Sequence, residues 1–209
     1  MCEQPAQAFQ SWVLEQASFF EEFIDDYAPI HHRSLSIDDI KRKFLCNPPG
    51  YDAVFLLTFT VARLREIGSL PGQAKRNPFT GQIQLNLLFD LLLVVDVTIR
   101  KKNSGQSKFS EQARFLLDST GHRLTQAQFE EVHRQFKSHF EAALQGALDG
   151  TIKAHSLALD RMQCDVALAY ELRNRGAHEV ETLPTIWNDF DRVQRAIFRT
   201  LCASIDYLY

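Results

Sequence analysis

Glycine and proline are scarce, at 9 and 7 of 209 residues, against 16 phenylalanines. A fold of short strands and tight turns needs more of both, so the composition argues against a β-sandwich or barrel. Alternating apolar and polar runs of Val, Ile and Thr are missing too, which removes the other mark of a half-buried sheet. Nor is there an excess of basic charge: 23 Lys and Arg stand against 26 Asp and Glu, for a net charge of −3. A protein that coats nucleic acid through bulk charge is strongly basic, so any contact of that kind must be local. Cys2, Cys46, Cys164 and Cys202 include no pair at metal-ligand spacing. They read as small buried hydrophobes in a reducing compartment, and neither a metal nor a cofactor is expected. The start of the chain lacks a basic stretch followed by an apolar one, which predicts a cytoplasmic protein. The most apolar run, 85–97, contains Asn86, Asp90 and Asp96. It is too short and too charged for a membrane span and reads as a core helix.

What the sequence does have is a period near 3.6 almost throughout. Phe9, Trp12, Val13, Phe19, Phe20 and Phe23 form a stripe over 5–27, broken by Gln16, and Pro29 is expected to end that helix. Ser36 and Asp39 have the spacing of a helix start, and a short helix follows to about Asn47. Further helices are expected over 52–67, 82–100, 110–119, 125–148 and 152–176, with a last one after Pro184. The stretch 68–81, with three glycines and two prolines, reads as a loop. Ile186, Phe190, Val193, Ile197, Leu201, Ile205 and Leu208 give the last helix a continuous apolar face. The expected fold is therefore an all-α bundle of about seven or eight helices. It divides into an accessory layer over 1–103 and a motif-bearing bundle over 104–209, which together can form one continuous domain.

The most informative stretch is Tyr170-Glu171-Leu172-Arg173-Asn174-Arg175-Gly176-Ala177-His178-Glu179. Asn174 and His178 are four residues apart, so they share a face of a helix. Asn174 can then hydrogen-bond the imidazole and fix its tautomer. Arg173 points about a third of a turn away, and its length or a break at Gly176 is needed to bring it near His178. A second Arg and His at the same spacing, Arg134 and His139, lie in an amphipathic stretch without the Asn and read as surface charge.

An Arg, a polar residue after it and a His five positions on, followed by a long amphipathic helix, resembles the HEPN superfamily over roughly residues 125–209. The resemblance implies a HEPN-like bundle and metal-independent RNA cleavage. His178 would act as general acid or base. Arg173 would stabilise charge on the phosphoryl oxygens, with Asn174 as the third catalytic residue and Arg175 binding substrate. Members of the superfamily dimerise so that two motifs face each other, which implies a homodimer with RNA as substrate. A toxin, phage-defence or stress system is implied, with a neutralising or activating partner. HEPN toxins paired with a nucleotidyltransferase antitoxin usually carry Tyr two residues after the motif His. Val180 stands there, and the chain departs from that subgroup.

Blander readings stand beside these. Arg173 and Arg175 suit the C-terminal end of a helix dipole, and Gly176 suits a cap. His31 and His32 have no ligand-spaced partner. The basic runs Lys41-Arg42-Lys43 and Arg100-Lys101-Lys102 read first as solvated helix faces and second as phosphate contacts. Glu171 and Glu179 are placed to pair with the motif arginines. A non-catalytic helical module that binds a nucleotide, RNA or a protein is the competing function, and a purely structural helical dimer is the third.

Overall fold

A computed structural model describes residues 8, 11, 19–45, 51–75, 77–103, 108–175 and 180–209. The expectations placed on Phe9, Trp12, Val13, Gln16, the 47–50 break and His178 fall outside them. Among the described residues the protein is all-α, with eleven α-helices and one two-stranded hairpin. In chain order these are α1 (Phe19–His31), α2 (Ile37–Ile40) with a π-helical turn at Lys41–Leu45, α3 (Tyr51–Gly68) and α4 (Gly72–Lys75). Then come α5 (Pro78–Lys102), α6 (Phe109–Thr120), α7 (Gln126–Ser138) and α8 (Phe140–Asp149). The hairpin of β1 (Lys153–Ala154) and β2 (Leu157–Ala158) precedes α9 (Arg161–Arg175), a 3-10 turn at Val180–Thr182, α10 (Leu183–Asn188) and α11 (Phe190–Leu208).

Several boundaries follow from local chemistry. Ser36 and Asp39 form a reciprocal capping box on α2, and Thr125 and Gln128 form one on α7. Gly121 and Gly150, at φ 80° and 70°, close α6 and α8 in the left-handed conformation that glycine adopts without strain. Other boundaries differ from expectation. Pro29 does not end α1, which continues to His31 and stops where His32 turns to φ 51°. The expected loop over 68–81 holds α4 and the start of α5, because Asn77 caps Phe79 and Pro78 occupies the first turn. The helix expected over 125–148 breaks at His139, whose φ of −145° is not helical. The helix expected from 152 begins instead at Arg161. Its start is a reciprocal pair: Asp160 Oδ1 accepts from the Gln163 amide at 2.9 Å, and Gln163 Oε1 accepts from the Asp160 amide at 3.0 Å. The residues before it turn back as a hairpin, with His155 and Ser156 both at positive φ, and β1 pairs antiparallel with β2.

The buried side chains on both sides of residue 103 form one apolar cluster. α5 runs through it, with Leu88, Leu91, Leu92 and Val95 buried against α3 and α11. By length and composition α5 could cross a membrane; in this fold it is a core helix with Leu85, Leu87, Val94 and Ile99 also buried. The apolar face read from the last helix is inside: Val193, Ile197, Leu201 and Ile205 are all fully buried. Full burial of one such side chain contributes about 1.5–3 kcal/mol. Cys164 and Cys202 are free and buried, and burial pushes both thiols up to about 12.

The first described helix, α1, is fastened to α11 by charge. Arg199 of α11, itself buried, donates to Asp165 of α9 at 2.7 and 2.8 Å and to Asp26 of α1 at 2.6 Å. Arg161 adds a bond to Asp165 at 2.8 Å, and His31 Nε2 lies 3.4 Å from it. Lower down, Tyr27 and Arg33 both donate to the Asp206 carboxylate, at 3.1 and 2.8 Å. Phe23 stacks on Phe198 with ring centroids 3.7 Å apart. Arg42 and Lys43 of the first basic run are likewise engaged, by Asp39 and Asp206. Of the second run, Arg100 bonds Asp96 and Lys102 lies over the Tyr209 ring.

Gly81 sits where α5 meets α10. A Cβ there would come within 2.5–2.9 Å of the Trp187 indole, so the ring must move. Gly81→Ala should displace Trp187, break its bond to Gln84, and shift its fluorescence to longer wavelength. The overpacking should cost about 1–3 kcal/mol, partly offset by alanine's better helix propensity. An unchanged spectrum and melting temperature would show that the contact yields freely.

Candidate active site

The motif lies at the C-terminal end of α9, and the structure describes three of its four expected site residues. Leu172 is buried in the core, and Tyr170 packs beside it, its ring 4.7 Å from that of Phe129 on α7. Asn174 is exposed and Arg173 half-buried at the same end of the helix. Asn174 is one turn after Tyr170 and shares a hydrogen bond with its hydroxyl, as Ser110 of α6 does. Burial and the charge of Glu171 hold that phenol above its ordinary range, against the opposing pull of these two hydrogen bonds. It is therefore neutral at neutral pH. The amide expected to orient His178 is thus engaged by Tyr170; His178 lies outside the described residues.

Arg175 turns inward. It is buried, its Cζ is 5.3 Å from the centre of the Phe140 ring, and its Nε is 3.9 Å from Glu171 Oε2. The pairing expected between Glu171 and a motif arginine is therefore with Arg175, one turn on. Arg173 is two residues from Glu171, about 200° round the helix, so the two arginines diverge.

Glu171 is itself a residue that needs explanation. Its side chain is 1% exposed, and a carboxylate so deep is tolerated only when it is paired. The partner is His133 of α7, whose Nδ1 lies 3.0 and 3.1 Å from the two carboxylate oxygens. The His133 side chain remains 46% exposed. Sequence reasoning passed over this histidine. It lies 38 residues before Glu171, on the flank of an amphipathic helix whose buried face is Phe129, Val132 and Phe136. Only the packing of α7 against α9 reveals the pair.

The second Arg and His at that spacing, read as surface charge, are both exposed. Arg134 bonds Glu131 at 2.6 Å, and His139 sits at the break between α7 and α8. Among the described residues no three His, Cys, Asp or Glu side chains are grouped to hold a metal ion. A cavity of about 700 Å³ lies elsewhere, between Gln84, Trp187, Asn188 and the start of α11. Two of its three charged residues, Asp189 and Arg192, are paired with each other at 3.3 Å, the third is Asp191, and it contains none of the motif residues. Comparison with family models, with curated proteins and with solved structures finds no match for this chain.

Proposed function

We propose that the chain is a metal-independent RNA endonuclease of HEPN type, acting in a toxin, phage-defence or stress system of the cytoplasm. The observation that carries the reading is the Arg173-Asn174-Arg175-Gly176-Ala177-His178 sequence at the end of α9, with Arg173 and Asn174 open to solvent at least in part. Arg173 neutralises charge on the phosphoryl oxygens. His178 moves a proton to or from the reacting oxygens. The 2′-hydroxyl attacks the adjacent phosphate, leaving a 2′,3′-cyclic phosphate and a 5′-hydroxyl. Two copies of the motif meet across a two-fold axis, so the active form is a homodimer with an isologous interface. A neutralising or activating partner governs when it cuts.

The test is incubation of the purified protein with single-stranded RNA in the presence of a chelator, with the product ends identified. Cleavage with cyclic-phosphate ends, unchanged by the chelator, is the expected result. Cleavage lost to the chelator and restored by magnesium or manganese would overturn the mechanism. A second reading has its own support: Arg175 is buried and Asn174 bonds Tyr170, which are structural roles. On that reading the protein is a non-catalytic helical module that binds a nucleotide, RNA or a partner protein, and it would bind without cutting.

A further inference from the structure

We propose that a small pocket between α1, α8, α9 and α11 binds a phosphate group, held by Arg161, Arg192, Arg195 and Arg199. The inference stands apart from the ribonuclease reading and from the motif. The pocket has a volume of about 260 Å³, and those four side chains line it together with Ile30 and Leu148. No described carboxylate lines it. Arg192, Arg195 and Arg199 follow one another at three- and four-residue steps, so one face of α11 presents all three. Arg161 joins them from the first turn of α9.

The two deeper arginines are fixed. Arg199, 5% exposed, is held by Asp165 and Asp26. Arg161 bonds Asp165 at 2.8 Å through Nη2, and its Nη1 donates to the Leu148 carbonyl at 2.8 Å. That carbonyl belongs to the last turn of α8, whose negative end would otherwise repel an anion. The Arg161 Nε is enclosed and has no acceptor among the described residues. An enclosed donor without an acceptor is unfavourable, and an oxyanion supplies one.

The two shallower arginines can be exchanged. Arg195 pairs with Glu22 and Arg192 with Asp149, carboxylates that are 59% and 53% exposed. Ion pairs so open to water contribute little, and a competing anion releases them at small cost. A guanidinium also has five donors, so a phosphate oxygen can bind beside the carboxylate as well as in its place. Phosphate fits four such forks better than a carboxylate does, because it carries more oxygens and more charge. Pockets that enclose a drug-sized ligand hold about 300–1,000 Å³. This one is smaller, so it encloses the phosphate group alone, and anything attached to that group stays in solvent.

The experiment is calorimetric titration of the full chain at constant ionic strength in chloride, with inorganic phosphate, glycerol 3-phosphate and acetate. Wild type is compared with Arg195→Gln and Glu22→Gln. Both substitutions remove the same ion pair, so a purely structural role for that pair would make the two variants behave alike. The pocket sets them apart. Arg195→Gln should bind phosphate at least about 10-fold more weakly. Glu22→Gln, which frees Arg195, should bind it about two- to fivefold more tightly. Acetate should bind wild type at least about 10-fold more weakly than phosphate. Equal affinity for glycerol 3-phosphate would support the site and mark its ligand as the phosphate end of a larger molecule. Binding of inorganic phosphate alone would support the site and mark the ligand as the free ion. No saturable binding by wild type up to about 10 mM phosphate would overturn the proposal. So would acetate binding as well as phosphate, or both variants shifting affinity in the same direction. Should Arg195→Gln fail to fold, unchanged or weaker binding by Glu22→Gln overturns it alone. None of these outcomes touches the cleavage reading, which is tested separately.

Discussion

Asp165→Ala should lower the melting temperature by about 6–20 °C, more than any surface substitution in the molecule. The aspartate is 1% exposed and accepts from Arg199 twice and from Arg161, with His31 beside it. Removing one member of such a group leaves the remaining charges buried without their counter-ion, which costs about 3–5 kcal/mol. That is a large part of the 5–15 kcal/mol by which a domain of this kind is stable.

The same group makes stability depend on acid. Burial alone would raise the Asp165 carboxyl, but the hydrogen bonds from Arg199, the nearby His31 and the charges of Arg199 and Arg161 hold it below its usual range. Folding therefore favours its ionised form. The contribution is complete above the unfolded value of about 3.9 and disappears as pH falls through the lower folded value. Wild type should lose stability steeply only below about pH 4, and Asp165→Asn should lack that component. A melting curve of Asp165→Ala within two or three degrees of wild type would show that the network relaxes without cost.

The second large effect is on cleavage. On the ribonuclease reading, His178→Ala and Arg173→Ala should each lower the rate by about 10²–10⁴ or more while the proposed dimer persists. A single side chain contributes little to an interface of standard size, so loss of activity and loss of assembly separate. Mass in solution and cleavage, measured on the same samples, decide it. A strictly monomeric protein that cuts RNA would refute the composite site. A dimer with every motif residue intact that fails to cut would leave the binding-module reading.

Helix existence was legible because burial here has a single period. The stripe from Phe190 to Ile205 could be read directly, since each of its residues faces the same core. Starts marked by side-chain oxygens, at Ser36 and Thr125, were equally plain. The misses have separate causes. Asp160 and Gln163 carry the same kind of start signal, but the apolar residues Ile152, Leu157 and Leu159 before them extend the helical period. The hairpin turn at His155-Ser156 has neither Asn nor Gly, so nothing local announces it. At the candidate site, the motif was visible because its residues are neighbours in sequence. His133 was not, because its meaning depends on a carboxylate that only the crossing of α7 and α9 brings to it. Arg175 was read outward because sequence spacing cannot tell a guanidinium facing solvent from one lying over Phe140.

The bonds between α1 and α11 carry a consequence for synthesis. Glu22, Asp26, Tyr27 and Arg33 leave the ribosome early, yet their partners Arg195, Arg199 and Asp206 come 173–179 residues later. Until then Phe23 has no Phe198 to lie against, and α1 emerges with an apolar face and no place to put it. The nascent chain therefore cannot close over its first described helix until α11 has been made, 173–179 residues later. A chain that stopped short of residue 190 would keep both the face of α1 and the α11-facing side of α5 open to solvent.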